Sequence, residues 1–373
     1  MKDRFLPLLL NVKIWVWLAL FCCHDTLPEA QGDTAAKHEL PSRGMFSSGA
    51  DAAPRFRLMS WNVKVGALFP ETMRNPLGEE AGARVGRFGR ILRAVRPDVL
   101  CLQEIWPLRE TAAVVALLNK ELPLEGHQEW FVHRATDVVI ASRYPLKLQR
   151  AELVIHHPLP EMPDFHYGQA MCLVDLPDDR SDADVFVLTA HYRSRSGREN
   201  ELKRERHSKS ILDIIQDVRT PGGDLEVRVG TPIVIAGDFN VYESNKDDPK
   251  RHLQMLISGT VGVTDSPAKN RGLDWDGTEF RDLLPSINGR GKAYYTWRND
   301  AQPYPPGALD RVLFTDSVLN PVGSFVLDAA SLSSGMRTKY GLLPSDCYFA
   351  GREGVYDHLP IVVDFELKSF NHQ

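Results

Sequence analysis

The sequence predicts an α/β domain over residues 55–369, and three observations predict it. Short apolar runs alternate with helical patterns from Phe56 onward. No repeat or long linker interrupts them. Of the 373 residues, 43% are hydrophobic and 25% charged, which is enough apolar material for a large core.

The elements follow in chain order. Lys2 and Arg4 precede an apolar stretch from Phe5 to Cys23, interrupted by Asn11 and Lys13. Its strongest part, Ile14 to Phe21, has the length of a signal-peptide hydrophobic region and is short of a membrane span. Residues 1–30 therefore read as a leader directing export, so the protein is expected to be secreted or periplasmic. An uncleaved leader anchoring the chain to a membrane is the alternative, because no tidy small-x-small cleavage site follows. Cys22-Cys23 hints at a lipoprotein, but bulky Phe21 sits where a small residue is wanted. The next stretch is rich in Gly, Ala, Ser, Asp and Pro without periodicity, and 31–54 reads as a disordered tether. Candidate strands are 56–63, 98–103, 137–142, 169–175, 184–191, 232–237, 311–315 and 360–367. Phe88, Ile91, Leu92 and Val95 mark one helix, which Pro97 stops. Ile211, Leu212, Ile215 and Val218 mark a second, ending before Pro221-Gly222-Gly223.

Charge and cysteines exclude some classes. The net charge of −5 carries no global basic field for nucleic-acid binding. It leaves open a polyanionic substrate held by a metal and local arginines. Of five cysteines, two lie in the leader; Cys101, Cys172 and Cys347 are widely spaced. They form neither a disulfide framework nor a zinc site, and Cys101 and Cys172 read as small core residues.

Several strands end in polar residues. Asn62 follows Leu58-Met59-Ser60-Trp61, Glu104 follows Val99 to Gln103, and His191 follows Phe186 to Ala190. Asp238 and Asn240 follow Ile233 to Gly237, Asp310 stands before Arg311 to Phe314, and Asp357-His358 precedes the last strand. Singly, each has a bland structural reading as a turn cap or a hydrogen-bonded core group. Together, carboxylates beside apolar strands are costly without partners. A divalent cation with oxygen ligands would relieve that cost. Asp238 and Asn240, two apart, face the same side of an extended segment and can address one phosphate.

These segments, in this order, resemble the endonuclease/exonuclease/phosphatase superfamily, with Gly237-Asp238-Phe239-Asn240 and the terminal Asp357-His358-x-Pro360 as the most specific motifs. The resemblance implies a four-layer α/β sandwich of two packed, mostly antiparallel sheets flanked by helices. It implies a hydrolase of phosphate esters using Mg2+ or Mn2+, with Glu104 as main metal ligand, assisted by Asn62 and, directly or through water, by Asp357. Asp238 would orient or deprotonate the attacking water, while Asn240 and His191 would donate hydrogen bonds to phosphoryl oxygens. His358, held by Asp310, would position the phosphate or exchange a proton with it, and the resemblance leaves the base open between Asp238 and His358. Two positions depart from the family pattern. Lys64 stands where some apurinic-site enzymes carry an acid, which weighs against a second carboxylate on the metal. Tyr356 stands where Ser is usual.

The substrate is read from what surrounds these motifs. Arg193 and Arg195 are candidate phosphate-binding residues. The basic residues from Arg198 on are interleaved with Glu199, Glu201 and Glu205 and read equally as a solvated helix start. Tyr294, Tyr295 and Trp297 read as surface-strand packing, with base stacking as the alternative. The leading expectation is a phosphodiesterase whose partner is nucleic acid, DNA or RNA. A phospholipid, sphingomyelin or sugar-phosphate hydrolase is second, and an inactive binding module third. After leader cleavage the protein is expected to be a monomer, with no stable membrane association and no protein partner.

Overall fold

The structure is a computed structural model that describes residues 55–64, 68–69, 79–106, 110–155, 167–178, 181, 183–241, 251–260, 272–288, 290–299, 304–347 and 357–368. The expected leader (1–30) and tether (31–54) lie outside the described residues, as does Tyr356. Twelve strands form two six-stranded sheets, and five α-helices accompany them among the described residues. The first sheet has the order β11(Leu319–Val326), β12(Ile361–Leu367), β1(Arg55–Asn62), β2(Val99–Gln103), β4(Val139–Ser142), β3(Phe131–Arg134). The second runs β5(Leu146–Ile155), β6(Tyr167–Val174), β7(Val185–His191), β8(Ile233–Asp238), β10(Asp310–Phe314), β9(Arg281–Leu283). Only the central pairs β1–β2 and β7–β8 are parallel; the remaining pairs run antiparallel. This is the expected sandwich.

The layers follow from a period of two in the strands. On β7 and β8, Val185, Val187, Val234 and Ala236 join the core between the sheets. Their neighbours Phe186, Leu188, Ile233 and Ile235 join a second core with Ile211, Leu212, Ile215 and Val218 of α3(Arg198–Arg219). Alternate side chains thus bury on opposite faces, the second face covered by α3 and α4(Arg251–Ser258). On the other side, Phe88, Ile91, Leu92 and Val95 of α1(Glu79–Val95) pack at helical spacing with α2(Thr111–Glu121) against the first sheet. A further helix, α5(Ser334–Tyr340), lies before β12. Helix α1 stops as expected: Arg96 turns to φ 52° and Pro97 follows. Among the described residues, no helix is long and apolar enough to cross a membrane. Cys101, Cys172 and Cys347 are buried free thiols, and burial pushes Cys101 up to about 12.

Arg57 on β1 ties sheet to helix. Its guanidinium grips Asp364 through Nε (2.6 Å) and Nη2 (2.9 Å), while Nη1 donates to Val95 O at the end of α1 (2.8 Å). Both partners are buried. Arg57→Met would leave Asp364 as a buried, unpaired carboxylate, so a loss of about 3–5 kcal/mol is expected in chemical denaturation. A variant within about 1 kcal/mol of wild type would show that the pair is dispensable.

Candidate active site

Strand register assembles the site from distant segments. Parallel pairing of β7 with β8 sets His191 beside Asp238, and antiparallel pairing of β8 with β10 sets Asp310 on the other flank of Asp238. In the first sheet, β1 and β2 end together, with Asn62 opposite Gln103 and Glu104 next along the chain. The segment Asp357-His358 leads into β12, whose Ile361 pairs with Ser60 near that same end. The two sheets meet there, as Gln103 Nε2 donates across the gap to Thr189 Oγ1 (3.0 Å).

Asp238 is the hub, with 1% exposure. Its Oδ2 accepts from Asn62 Nδ2 (3.1 Å) and Asn240 Nδ2 (3.1 Å). The Nε2 atoms of His191 and His358 stand 3.7 and 3.8 Å from the same oxygen. Its Oδ1 accepts from Asn240 N (2.8 Å). Burial raises its pKa to about 6, against the opposing pull of the neighbouring His358. Asp238 is therefore a carboxylate at neutral pH with real affinity for a proton.

Each histidine is backed by an aspartate. His358 Nδ1 donates to Asp310 Oδ2 (2.8 Å), which also accepts from the Thr296 hydroxyl (2.5 Å). His191 Nδ1 bonds to Asp137 Oδ2, on the loop before β4. Burial alone would lower both imidazoles, but the carboxylates outweigh it. Asp137, with Asp238 and Glu104, lifts His191 to about 9, and Asp310 with Asp238 lifts His358 to about 10. Both rings present a charged Nε2–H towards Asp238 at neutral pH.

Glu104 Oε1 accepts from Asn62 Nδ2 (3.0 Å) and lies 3.8 Å from His191 Nε2. Glu104, Asn240 and Lys64 all adopt positive φ (62°, 49° and 62°), a left-handed conformation that side chains disfavour. Such strain, about 1–3 kcal/mol per residue, clusters here around one cleft. The turn after β8 is held from behind. His252 of α4 donates through Nε2 to Phe239 O (3.0 Å), and Asn240 Nδ2 donates to Tyr192 O (2.8 Å). Gly237 is required by close approach, since a Cβ there would stand 2.1 Å from Ala190 O.

The structure thus gathers Asn62, Glu104, His191, Asp238, Asn240, Asp310 and His358 in one place, with Asp357 at the rim 3.7 Å from Lys64 Nζ. Arg193 and Arg195 fare differently. Arg193 is buried, its Nε on Asn200 Oδ1 (3.1 Å) and its guanidinium stacked over Tyr167, so it braces the loop. Arg195 is exposed. Arg198, Lys203 and Arg204 pair with Glu205, Glu199 and Glu201; only Arg198 is solvent-exposed, while Lys203 and Arg204 are buried, so the run is not the solvated helix start that its charges suggest. Tyr294 is exposed, Tyr295 accepts from Arg290 Nη1 (3.2 Å), and the Trp297 backbone bridges to His358.

Three residues of the site escape the sequence reading. Asp137 opens an apolar run and would show as a buried carboxylate before a strand. Thr296 sits among aromatics that draw attention away from it. Tyr167 sets its ring edge against His191 at 4.8 Å, and its phenol lies 3.1 Å from Ser194 Oγ. No motif marks Tyr167.

As for metal ligands, Asp238, Asp310 and His358 form a buried group whose ligand atoms all lie within 4.8 Å of one another.

Residues 59–346 match the model of the Endonuclease/Exonuclease/phosphatase family. No curated protein matches the chain significantly. Among solved structures, an endonuclease/exonuclease/phosphatase from Beutenbergia cavernae is 17% identical, with 85% of this chain and 72% of that one covered at a TM-score of 0.50. The human Nocturnin catalytic domain with bound sulfate is 18% identical (85% and 96% covered, TM-score 0.47). Truncated Caenorhabditis elegans TDP2 is 16% identical (84% and 97%, TM-score 0.47).

Proposed function

The chain belongs to the endonuclease/exonuclease/phosphatase family, and on that premise we propose that it hydrolyses phosphodiesters, with DNA or RNA as substrate and Mg2+ or Mn2+ as cofactor. The observation that carries the reading is the gathering around Asp238 Oδ2 of two hydrogen-bonded amides, Asn62 and Asn240, and two charged imidazoles, His191 and His358, at 3.7 and 3.8 Å. The two imidazoles, charged and not hydrogen-bonded to Asp238, suit an anion on which charge builds.

The donor set fits a hard cation. Glu104 and Asp357 offer carboxylate oxygens, the ligand type of Mg2+ and Mn2+, while Asn62 would join them through Oδ1, which accepts from Lys64 N, its Nδ2 facing Glu104. The Asp238–Asp310–His358 group is the less suitable place. Asp310 Oδ2 and His358 Nδ1 are already bonded to each other, and the remaining ring nitrogen would have to lose its proton first. When bound, the cation supplies positive charge that polarises the phosphoryl group. Asp238 aligns the attacking water and takes its proton. His191 and His358 donate to phosphoryl oxygens, their tautomers fixed by Asp137 and Asp310. Asn240, whose amide is committed to Tyr192 and Asp238, orients the base.

Export by the leader and action outside the cytoplasm belong to the same proposal, as does a monomer whose nucleic-acid affinity falls with salt.

The test is an activity panel on the purified mature protein with Mg2+ or Mn2+. Plasmid nicking that a chelator abolishes is the expected result. Turnover confined to sphingomyelin or to p-nitrophenyl phosphate would replace the nuclease reading with the lipid or monoester one. Intact substrates throughout, with Mn2+ bound, would mean a binding module.

A further inference from the structure

Lys64 has no place in the chemistry above, yet its position is closely set. Its backbone takes the left-handed conformation (φ 62°), and its N–H donates to Asn62 Oδ1 (2.9 Å). That turn brings Nζ to 3.7 Å from Asp357 Oδ2, with both side chains only partly exposed (32% and 23%). Asp357 is one of the oxygen donors proposed above to hold the cation, and the Lys64 N–H already engages the oxygen of another, Asn62. We propose that Lys64 is a built-in cation that competes with the divalent ion for Asp357 and so sets how tightly the site holds metal, an inference that rests on the proposed metal position.

The physical basis is Coulombic. An ammonium within 4 Å of a carboxylate satisfies part of its field, and two positive charges sharing one carboxylate repel each other. Metal bound at Glu104 therefore either displaces the Lys64 head group from Asp357 or leaves that carboxylate to it, and both outcomes weaken binding relative to a site without the lysine. The flexible stem of a lysine suits displacement, because Nζ can swing into solvent while the strained backbone stays fixed.

The test is Mn2+ titration of the metal-free full chain at low ionic strength, followed by calorimetry and by the electron paramagnetic resonance signal of free Mn2+. Lys64→Met is expected to tighten Mn2+ binding on the order of tenfold, whereas Lys64→Arg, which keeps the charge, stays near wild type. Both replacements tolerate the left-handed backbone no worse than lysine does, and circular dichroism checks that each variant is folded. In an Asp357→Asn background the gain from Lys64→Met should vanish, because the shared carboxylate is gone. Unchanged or weaker Mn2+ binding in Lys64→Met, with Glu104→Gln losing the metal as expected, would overturn the role of Lys64 while leaving the metal position intact. Undiminished Mn2+ binding by Glu104→Gln would instead overturn the metal position, and the role of Lys64 with it.

Discussion

Replacing Asp238 by Asn is expected to cut turnover by roughly 10⁴-fold, the upper range for loss of a general base. Metal affinity should remain near the wild-type value. The reason is the separation of tasks in the cleft. Asp238 is the point around which Asn62, Asn240, His191 and His358 gather, whereas the carboxylate oxygens proposed for the cation belong to Glu104 and Asp357. An amide at position 238 keeps the volume but cannot take a proton from water. The wild-type rate should also fall as pH drops through about 6, where burial has placed the Asp238 carboxyl. Steady-state kinetics on plasmid or oligonucleotide, paired with Mn2+ titration, measure both halves. A normal rate in the variant would make His358 the base. Loss of Mn2+ binding together with activity would move the cation to the Asp238–Asp310–His358 group.

How much of this was legible in the sequence depends on where a residue sits in its sheet. All eight strands expected from apolar runs are present, the residue bounds shifting by one or two positions. The four strands that were not expected, β3, β5, β9 and β11, are the four sheet edges. Their composition explains the omission. Strand β9 is Arg281-Asp282-Leu283, β5 begins Leu146-Lys147-Leu148-Gln149-Arg150, and β11 carries Pro321 and Gly323 at a register shift. Edges need no apolar side chains on both faces, and charge or proline there discourages pairing with other chains. A search for apolar runs finds central strands and overlooks their borders.

The site follows the same logic. Asn62, Glu104, His191 and Asp238 stand at or just past the ends of the central parallel pairs β1–β2 and β7–β8, where a polar residue breaks an apolar run and is conspicuous. Asp137 and Thr296 serve from connections, and their roles depend on which histidine or aspartate the fold brings to them. Sequence spacing cannot supply that pairing, because 54 residues separate His191 from Asp137. Arg193 shows the converse. Read locally it is a phosphate clamp, but the neighbouring Tyr167 and Asn200 convert it into a brace.

Asp137→Asn should reveal how far His191 depends on that pairing. The carboxylate holds the imidazole in one tautomer and keeps it charged despite complete burial. With an amide in its place, burial dominates and the imidazole moves down from about 9, so the cationic donor facing Asp238 is lost at neutral pH. Activity is expected to drop by about 10²–10³-fold. The linkage has a definite sign. In the metal-free wild type, His191 titrates at about 9 when folded and near 6.5 when unfolded. Its stabilising contribution is complete below pH 6.5 and disappears as pH rises to about 9, a change of roughly 3 kcal/mol. The variant lacks that contribution and should therefore lose less stability between pH 6.5 and 9. Below pH 6.5 the order reverses, since a buried imidazole that resists protonation makes the folded state acid-labile. Histidine NMR titration of the metal-free protein reads the first effect, and denaturation midpoints across pH read the second. A His191 resonance that titrates identically in both proteins would show that Asp137 does not control the charge on this ring.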